Sequence, residues 1–410
     1  MAKTQRNLSE IIIVGGGFAG LSALHHLKQH LRHKAVIKLV DKNAHSVNRP
    51  VMPEIALDGK PIAHSLFPLS QAVGHHAEFV RGEVRSVDVY INQISLKDGR
   101  VLKYDFLLLA PGPVHDFGAV AGLEEHGYSV CDGLHAEHLW NAFDNFIGAN
   151  IVIGTAPTPQ GTRVEAPKLV AACEGPVGEL MFMVDHHLKK NKMRDDHSIK
   201  VFSPGKIFFE DVGPNVREAV GGLMDDAGIT VQTGKVISSV GEGVVKFSDG
   251  DEWESDFTIV LPPHAPPRFI ARSELGDDVG WIPTDYEMQH LDYSNIYAAG
   301  DCTALSQPKL GHIAAMQGEI AAKAIIRRLG VKIKVPSYEP EVFCIMNRGG
   351  HEATLVLSDT LYGGTRDITV SGALPQMMKW TFDTYVGYTH GHLPPKVSGD
   401  VMERLLEHFA

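Results

Sequence analysis

The order of apolar and polar positions along the chain predicts an alternation of short buried strands and amphipathic helices. Residues 11–14 are apolar β-formers that lead into three consecutive glycines, and helical spacing follows from about residue 17 to residue 29. Residues 35–41 form a second apolar run, which ends in an aspartate. A strand, a tight turn, a helix and a strand in this order indicate a βαβ unit with parallel strands.

The same kinds of pattern return later in the chain. Residues 78–112 alternate apolar and polar positions around a turn at 98–99, which predicts a β meander that closes in a buried strand. Residues 149–157 resemble the start of the first unit, with a strand, a glycine and then a helical region. Residues 295–302 form another buried strand, and residues 312–330 have the pattern of a strong helix that ends at a glycine.

These elements predict an α/β fold with two tandem Rossmann-type domains and a C-terminal lobe. We expect the first dinucleotide-binding domain to be discontinuous and to consist of residues 1–112 and 292–330. Residues 113–291 are expected to form the second Rossmann-type domain, and residues 331–410 the C-terminal lobe.

Composition and charge exclude several classes of protein. The net charge of −11 and the absence of a basic cluster argue against a nucleic-acid partner. The polar start lacks the apolar core of a signal peptide, and no apolar run is long enough for a transmembrane helix. Four scattered cysteines without a CxxC pair indicate neither a disulfide scaffold nor a metal site.

The glycines after the first strand predict a dinucleotide site. Gly15, Gly17 and Gly20 fit the G-x-G-x-x-G pattern, which brings a pyrophosphate to the N-terminus of a helix. Asp41 ends the second strand, where an acid binds a ribose hydroxyl. In the second unit Gly154 is instead followed by residues 155–157, Thr-Ala-Pro, so the sequence favours no NAD(P)H there. A divergent loop that still binds NADH is the alternative.

Two further segments identify the first nucleotide as FAD. Residues 104–112 (YDFLLLAPG) and 295–302 (NIYAAGDC) resemble the second and third FAD fingerprints of flavoproteins with two dinucleotide-binding domains. The resemblance implies that Asp301 binds the ribityl chain and that Lys309 lies beside the flavin ring. The residues assigned to FAD are Gly15, Gly17, Phe18, Ala19, Gly20, Asp41, Lys42, Arg49, Pro50, Val84, Ala110, Gly112, Gly300, Asp301, Lys309 and Gly311.

Three cysteine segments make the resemblance more specific. Residues 129–140, 171–180 and 341–350 resemble those of sulfide:quinone oxidoreductases and, less closely, of flavocytochrome c sulfide dehydrogenases. The resemblance implies FAD-dependent oxidation of sulfide to zero-valent sulfur or polysulfide, with a membrane quinone as electron acceptor. Cys173 and Cys344 are then the redox pair, and Cys131 is a third family cysteine. A disulfide suits this substrate because sulfide attacks it by exchange, giving a persulfide and a thiolate.

The resemblance also suggests acid–base residues and shows two departures from the family. Glu179 and His135 match a family glutamate and a family histidine. A second family histidine has no counterpart, since residues 208–216 offer Glu210 and Asp211 instead. A lysine of the family's C-terminal helix is expected to be replaced: Thr384 stands at the best register, with Lys379 nearby.

The end of the chain is expected to face the quinone and the membrane. Met377, Met378, Trp380, Phe382, Tyr385 and Val386 would make an apolar helix face, which suits either a quinone slot or the core. Residues 400–410 are short and acidic, so a basic anchor is missing. We expect a peripheral membrane protein, present as a homo-oligomer. The competing interpretations are a type II NADH:quinone dehydrogenase, a flavocytochrome c-type sulfide dehydrogenase and a non-catalytic flavin sensor.

Overall fold

The computed structural model describes residues 8–391, and its elements follow the predicted alternation of strands and helices. The N-terminal part contains β1 (Ser9–Val14), α1 (Phe18–Leu31), β2 (Ala35–Asp41), β3 (His45–Val47), α2 (Met52–Asp58), β4 (Leu66–Pro68), α3 (Leu69–Val73), β5 (Glu78–Arg81), β6 (Val84–Asp88), β7 (Gln93–Leu96), β8 (Val101–Lys103) and β9 (Phe106–Leu109).

The middle and C-terminal parts continue the series. The middle part contains β10 (Val114–His115), α4 (Leu123–His126), α5 (Gly133–Phe143), β11 (Asn150–Thr155), α6 (Gly175–Lys190), β12 (Ser198–Phe202), α7 (Pro214–Asp226), β13 (Ile229–Gln232), β14 (Ile237–Gly241), β15 (Val244–Phe247), β16 (Glu252–Glu254), β17 (Phe257–Leu261), β18 (His264–Ala265) and α8 (Arg268–Ala271). The C-terminal part contains β19 (Ile296–Ala298), α9 (Gly311–Arg328), β20 (Val342–Asn347), β21 (Ala353–Ser358), β22 (Asp367–Gly372) and α10 (Ala373–Tyr388).

The first sheet is parallel and is assembled from distant parts of the chain. Its strand order is β19-β9-β1-β2-β5. Ile11 lies opposite Ile37 on one side and Phe106 on the other, so the apolar β1 is a central strand. Ile296 pairs with Leu107, which adds a strand from nearly 200 residues downstream to the edge of the sheet. Apolar side chains cover both faces of β1, as expected of a central parallel strand.

Two long helices pack together on this sheet. Leu24 and Leu27 of α1 and Ile320 and Ile325 of α9 are fully or almost fully buried in one apolar cluster. The helices approach closely at Gly318, where any side chain would collide with the α1 backbone. This contact fixes the start of α1 relative to the chain that leads into α9.

The second sheet repeats the first in outline but differs after its first strand. Its order is β13-β12-β11-β17, all parallel, and an antiparallel meander of β14, β15 and β16 lies beside it as β6, β7 and β8 lie beside the first. The sequence pattern predicts a helical region soon after residue 157, but α6 begins only at Gly175. The intervening segment is irregular, because Pro157, Pro159 and Pro167 lack the N–H that a helix interior needs.

The C-terminal lobe packs against the second unit. Strands β20, β21 and β22 form an antiparallel sheet in which Cys344 lies opposite Val356. Val342, Met346 and Val356 belong to the same buried cluster as the apolar residues of α6. The helix α10 crosses this sheet, and the acidic segment 400–410 lies outside the described residues. Between residues 8 and 391 the structure contains no helix of the length and apolarity that crossing a bilayer requires.

Candidate active site

The first two predicted FAD fingerprints meet where β1 turns into α1. Gly15 has a φ of +104°, and a side chain there would collide with the carbonyl oxygen of Ala110. A side chain at Gly20 would collide with the Gly15 carbonyl. Glycine is therefore required at both positions by backbone contacts alone.

The third fingerprint reaches the same place from the opposite side. A Cβ on Gly300 would lie 3.0 Å from the Cβ of Ala19, and a Cβ on Gly311 would lie 2.8 Å from the Phe18 ring. Gly300 also has a positive φ of +78°, and its N–H donates to the Gln317 side chain at 2.7 Å. Three segments that are far apart in sequence thus surround one helix N-terminus.

This N-terminus has the form of a pyrophosphate site. Gly17 precedes α1 without a capping side chain, and a Cβ on it would meet open space. Backbone N–H groups at such an end attract anions. The Asp41 carboxylate accepts the N–H of Gly16 at 2.7 Å and the N–H of Asn43 at 2.7 Å, which holds the glycine turn against the end of β2. The residues present fit a dinucleotide such as FAD.

A buried charge pair lies deeper in the site. Burial raises the pKa of Asp301 and lowers the pKa of Lys309 to about 8. The Lys309 ammonium donates to the Asp301 carbonyl at 2.7 Å and lies 4.1 Å from the centroid of the Trp281 ring. Trp281 is fully buried, and the sequence analysis did not identify it.

The other residues assigned to FAD lie at element ends. Lys42 directly follows β2 and Gly112 follows β9, so both lie at the carboxyl edge of the first sheet, where nucleotides bind in such folds. Arg49 and Pro50 begin a short 3₁₀ helix, Arg49–Val51. Val84 is the buried first residue of β6 and packs in an apolar cluster.

Two histidines next to Arg49 were missed by the sequence analysis. The rings of His115 and His264 lie 5.3 Å apart, and Arg49 Nη1 is 3.4 Å from His115 Nε2. Burial lowers the pKa of His115 to about 4 and lowers the pKa of His264 well below its usual value, so both rings are neutral at pH 7. Both Nδ1 atoms are buried without a hydrogen-bond partner within residues 8–391. No sequence signal pairs them, because they are brought together by the short β10–β18 ladder.

Cys173 and Cys344 line one cleft of about 640 Å³. Cys173 lies just before α6 and Cys344 lies on β20, with its sulfur 3.9 Å from where a Cβ on Gly175 would be. All four cysteines are free thiols in this structure. Burial raises the pKa of Cys344 to about 12 and that of Cys173 well above its usual value, so both are protonated at neutral pH.

Carboxyl groups share this cleft with the thiols. Glu174 is buried, accepts Ser203 Oγ at 2.5 Å and the Glu210 N–H at 3.0 Å, and has a pKa raised by burial to about 8. Asp211 lines the cleft too, with a pKa raised by burial to about 6. Its Oδ1 is buried and lacks a hydrogen-bond partner in the described part of the chain. The Glu210 carboxylate instead accepts the N–H of Val170 at 2.6 Å and the N–H of Ala171 at 3.0 Å.

The predicted acid Glu179 belongs to a buried ion network. Lys379 of α10 donates to Glu179 Oε1, and the same oxygen accepts the Asn347 N–H at 3.1 Å. Lys379 Nζ also lies 3.8 Å from Glu54 Oε1. The family lysine that the sequence analysis took to be replaced thus has a buried candidate in Lys379, whereas Thr384 is exposed.

Cys131 and His135 lie at the start of α5. Burial raises the pKa of Cys131 to about 11, and Ser129 Oγ donates to its sulfur at 3.3 Å. His135 hydrogen-bonds Asp132 at 2.9 Å and stacks on Phe117 with the ring centroids 4.1 Å apart. These contacts orient His135 toward the cap of its own helix, so its predicted role in the reaction stays a prediction.

The predicted apolar face of α10 divides into two parts. Met378 and Phe382 pack against buried clusters, and Val386 is fully buried. The outward residues are Met377, Trp380, Tyr385 and Tyr388, with 64, 66, 38 and 87% of their surface exposed. The core interpretation holds for the inward side of the helix, and the quinone-facing role of the outward side stays a prediction. Within residues 8–391, no cluster of metal-ligating side chains is present.

Comparison with known proteins agrees with this architecture. The chain is 22% identical to the sulfide-quinone reductase of Aquifex aeolicus over 97% of its own length and 95% of that protein. The crystal structure of the sulfide:quinone oxidoreductase from Aquifex aeolicus superimposes with a TM-score of 0.84 at 20% identity, covering 97% of this chain and 96% of that one. The NDH2 of Plasmodium falciparum, solved with NADH, gives a TM-score of 0.67 at 12% identity, covering 93% and 95%.

These similarities confirm the resemblance to sulfide:quinone oxidoreductases and the α/β flavoprotein fold. The family model described as pyridine nucleotide-disulphide oxidoreductase matches residues 9–158 and 184–318, which is more than half of the chain. The protein therefore belongs to the pyridine nucleotide-disulphide oxidoreductase family.

Proposed function

We propose that the protein is a sulfide:quinone oxidoreductase that oxidises sulfide to zero-valent sulfur through Cys173 and Cys344 and transfers two electrons through FAD to a membrane quinone. The observation that carries this proposal is the shared cleft of the two cysteines, which are 171 positions apart in sequence. The similarity to sulfide-quinone reductase over nearly the whole chain supports the same function.

The surroundings of Cys173 connect the cleft with the FAD site. The pKa of the Cys173 thiol is raised mainly by burial and further by the carboxyl groups of Asp211 and Asp301. Asp301 belongs to the third fingerprint, so this cysteine lies within electrostatic reach of the residue assigned to the ribityl chain. Bound FAD would supply a two-electron acceptor at this position. Gly15, Gly20, Gly300 and Asp301 would hold it, and Lys309 would place a positive charge beside it.

The protonated state of the thiols defines their part in the reaction. With both pKa values raised by burial, neither cysteine is a preformed thiolate nucleophile. In the disulfide state sulfide is instead the nucleophile, and the cysteine that is released takes up a proton because its pKa is raised. Asp211, with a pKa of about 6 and an unpartnered oxygen in the cleft, is placed to take the proton of hydrogen sulfide at neutral pH.

The outer side of α10 supports peripheral membrane association. Trp380 and Tyr388 are large, aromatic and exposed, and such side chains are favoured at the membrane–water interface. Phe382 and Val386 anchor the other side of the helix to the protein. The surface would bring a membrane quinone to the C-terminal lobe, next to Lys379 and Glu179. The homo-oligomeric state remains a prediction.

The second unit argues against NADH as the electron donor. The helix that would receive a pyrophosphate is α6, and Glu174 stands as a carboxyl group at its N-terminus. A buried acid at this place repels an anion once ionised and fills the space when neutral. This contrasts with Gly17 at the start of α1 and disfavours the type II NADH dehydrogenase interpretation.

Anaerobic mixing of the FAD-loaded protein with either sulfide or NADH tests the proposal. We expect sulfide to bleach the visible flavin band rapidly and NADH to leave it unchanged. Subsequent addition of a short-chain ubiquinone should restore the band. Bleaching by NADH alone would refute the proposed electron donor, and no bleaching by sulfide would refute the proposed substrate.

A further inference from the structure

A chain of charged side chains leads from solvent to the vicinity of Cys344. Lys60 is at its outer end, with 44% of its side chain exposed, and its ammonium contacts the Glu54 carboxylate. Glu54 is 3% exposed and lies 3.8 Å from the Lys379 ammonium. Lys379 contacts Glu179, whose charge raises the pKa of Cys344.

Three helices and the segment after α2 form this chain, which we call the Lys60–Glu179 relay. Glu54 lies on α2, Glu179 on α6 and Lys379 on α10, and Lys60 follows the end of α2. Asn347 on β20 closes the arrangement, because its side chain donates to Glu54 at 3.4 Å and its N–H donates to Glu179 at 3.1 Å. Each charged group therefore has a neighbour that can exchange a proton with it.

Burial gives this arrangement a cost that an apolar core would avoid. Moving charged groups out of water is unfavourable, and a well-packed apolar set is often at least as stable as a buried ion network. Two carboxylates and one ammonium are almost completely buried here: Glu54, Glu179 and Lys379. A third carboxyl, Asp383, is half-buried and interacts electrostatically with Lys379 and Glu54, but it accepts a hydrogen bond from Asn48 at 2.9 Å and is not one of the groups that link Lys60 to Glu179.

We propose that Glu54 and Lys60 form the solvent end of a proton path that reloads Glu179 through Lys379. The inference deepens the proposed function, since reduction of a quinone by two electrons also consumes two protons. Lys379 gives a proton to Glu179 and receives one from the Glu54 carboxyl, and Glu54 receives one from the Lys60 ammonium. Lys60 then takes one from water, so each proton delivered inside is replaced by one from solvent.

The test measures hydrogen–deuterium exchange at the Glu179 carboxyl group in the absence of catalytic turnover. Infrared spectroscopy of the FAD-loaded, oxidised protein transferred into D₂O at mildly acidic pH detects the isotope shift of a buried carboxylic acid. The Glu179 band is assigned as the band that Glu179→Gln lacks. We expect hydrogen–deuterium exchange at Glu179 to be about 100-fold slower in Glu54→Gln than in the wild type. This factor is the lower end of what a positioned acid–base group contributes to the rate of a proton transfer.

Matched variants distinguish a role of Glu54 in proton transfer from a role that only stabilises the fold. Asp383→Asn removes a half-buried carboxylate that also interacts with Lys379 and Glu54 but lies outside the relay, and exchange should stay at the wild-type rate. Lys60→Met changes only the exposed end and should slow exchange less than Glu54→Gln, whereas Glu54→Asp should restore most of the rate. Wild-type exchange in both Glu54→Gln and Lys60→Met, or equal slowing in Asp383→Asn, would overturn the proposal.

A second measurement connects the path to quinone reduction. Flavin reduced with dithionite, without sulfide, is mixed anaerobically with a short-chain ubiquinone, and recovery of the flavin band is followed. We expect Glu54→Gln to slow this recovery while sulfide still bleaches the oxidised flavin at the wild-type rate. Failure of sulfide to bleach wild-type flavin would refute the proposed donor alone, because the exchange rates still decide the proton path.

Discussion

The two parallel-sheet units share a framework and differ where their first strand ends. In the first unit Val14 pairs with Val40, and the chain turns at once through three glycines into α1, the last of which, Gly17, faces open space. In the second, Gly154 pairs with Phe202, and an irregular segment leads to a helix that begins behind Glu174. The first arrangement leaves the helix N-terminus free of side chains, whereas the second places a carboxyl group beside it, bound to Ser203 and to the Glu210 N–H. A similar framework thus supports a nucleotide site in one unit and a thiol cleft in the other.

The ends of the second strands show the same contrast. Asp41 follows Val40 and binds the N–H of Gly16, which holds the glycine turn. Ser203 follows Phe202 and donates to the Glu174 carboxyl instead. A hydroxyl thus stands where the first unit has the acid proposed to bind a ribose, and the two units differ at this position as well.

The largest expected effect comes from removing the thiol of Cys173 in the second unit. Cys173→Ser should leave FAD bound and abolish reduction of the flavin by sulfide, because an alcohol cannot form the disulfide that sulfide attacks. The measurement is anaerobic stopped-flow absorbance with a parallel determination of flavin content. Cys302→Ser is the control, since Cys302 is fully buried near two carbonyl oxygens of the first unit. Rapid bleaching of Cys173→Ser by sulfide would refute the assigned pair.

The next largest effect should come from placing a glutamate before α1, as Glu174 stands before α6 in the second unit. In Gly17→Glu the new side chain begins in open space, so the fold should persist while a carboxylate meets the pyrophosphate. At about 4 Å and an effective dielectric constant of 20 the repulsion is about 4 kcal/mol, or on the order of 1,000-fold in affinity. Flavin content after gel filtration measures it.

The matched control for this substitution is Gly222→Glu. It adds the same charge on α7 at a position with equally open space. We expect normal flavin content in the control, and circular dichroism should show both variants folded. Full retention of FAD by folded Gly17→Glu would place the pyrophosphate elsewhere.

A third prediction concerns pH and the buried acid of the second unit. The pKa of Glu174 is raised from 4.5 to about 8 by burial, so folding favours its protonated form. Its stabilising contribution is complete below pH 4.5 and is lost as the pH rises through about 8. At 1.36 kcal/mol per pKa unit the loss is on the order of 4 kcal/mol. Glu174→Gln should therefore lose less stability between pH 5 and pH 8 than the wild type.

Chemical denaturation at the two pH values measures this difference. Glutamine keeps one oxygen that accepts the Glu210 N–H, and its amide N–H can donate to Ser203 Oγ, so packing is retained. Glu218→Gln makes the same change at an exposed position of α7 and should follow the wild type. Parallel pH dependence of Glu174→Gln and wild type would show that Glu174 is ionised in the folded protein across this range.

Local patterns were enough to predict much of this architecture. Strand β2 and the end of β1 follow from runs of apolar β-formers, and the turn between β1 and α1 follows from the spacing of Gly15, Gly17 and Gly20. The late start of α6 was missed, although Gly175-Pro176 carries the usual signal of a helix N-terminus. The helix was expected directly after residue 157 because the strand before it, β11, repeats the pattern of β1, which a helix follows closely.

The buried ion network could not be predicted from sequence. Glu54 and Asn347 are 293 positions apart, and no periodicity relates them. Lys379 lies within an apolar helical pattern that gives no sign of a buried partner. Such contacts depend on how α2, α6 and α10 meet, which is a property of tertiary packing. The residue types alone suggest solvated charges, since isolated buried charges are rare.

The smallest expected effect comes from exchanging the residue that ends the second strand. Asp41→Ser gives the first unit the residue type found at the corresponding place in the second, Ser203. Serine is too short to bind both Gly16 and Asn43, and it removes the acid proposed to bind the ribose. Loss of one charged hydrogen bond, about 1.5 kcal/mol, should weaken FAD binding roughly tenfold.

Fluorescence titration of the FAD-free protein with FAD measures this change. Asp98→Ser is the control, since Asp98 binds Arg100 on an exposed turn far from the glycines in sequence. If Asp41→Ser keeps the wild-type dissociation constant, the acid at the end of β2 does not distinguish the two units. The contrast would then rest on the helix N-termini alone, on Gly17 at one and Glu174 at the other.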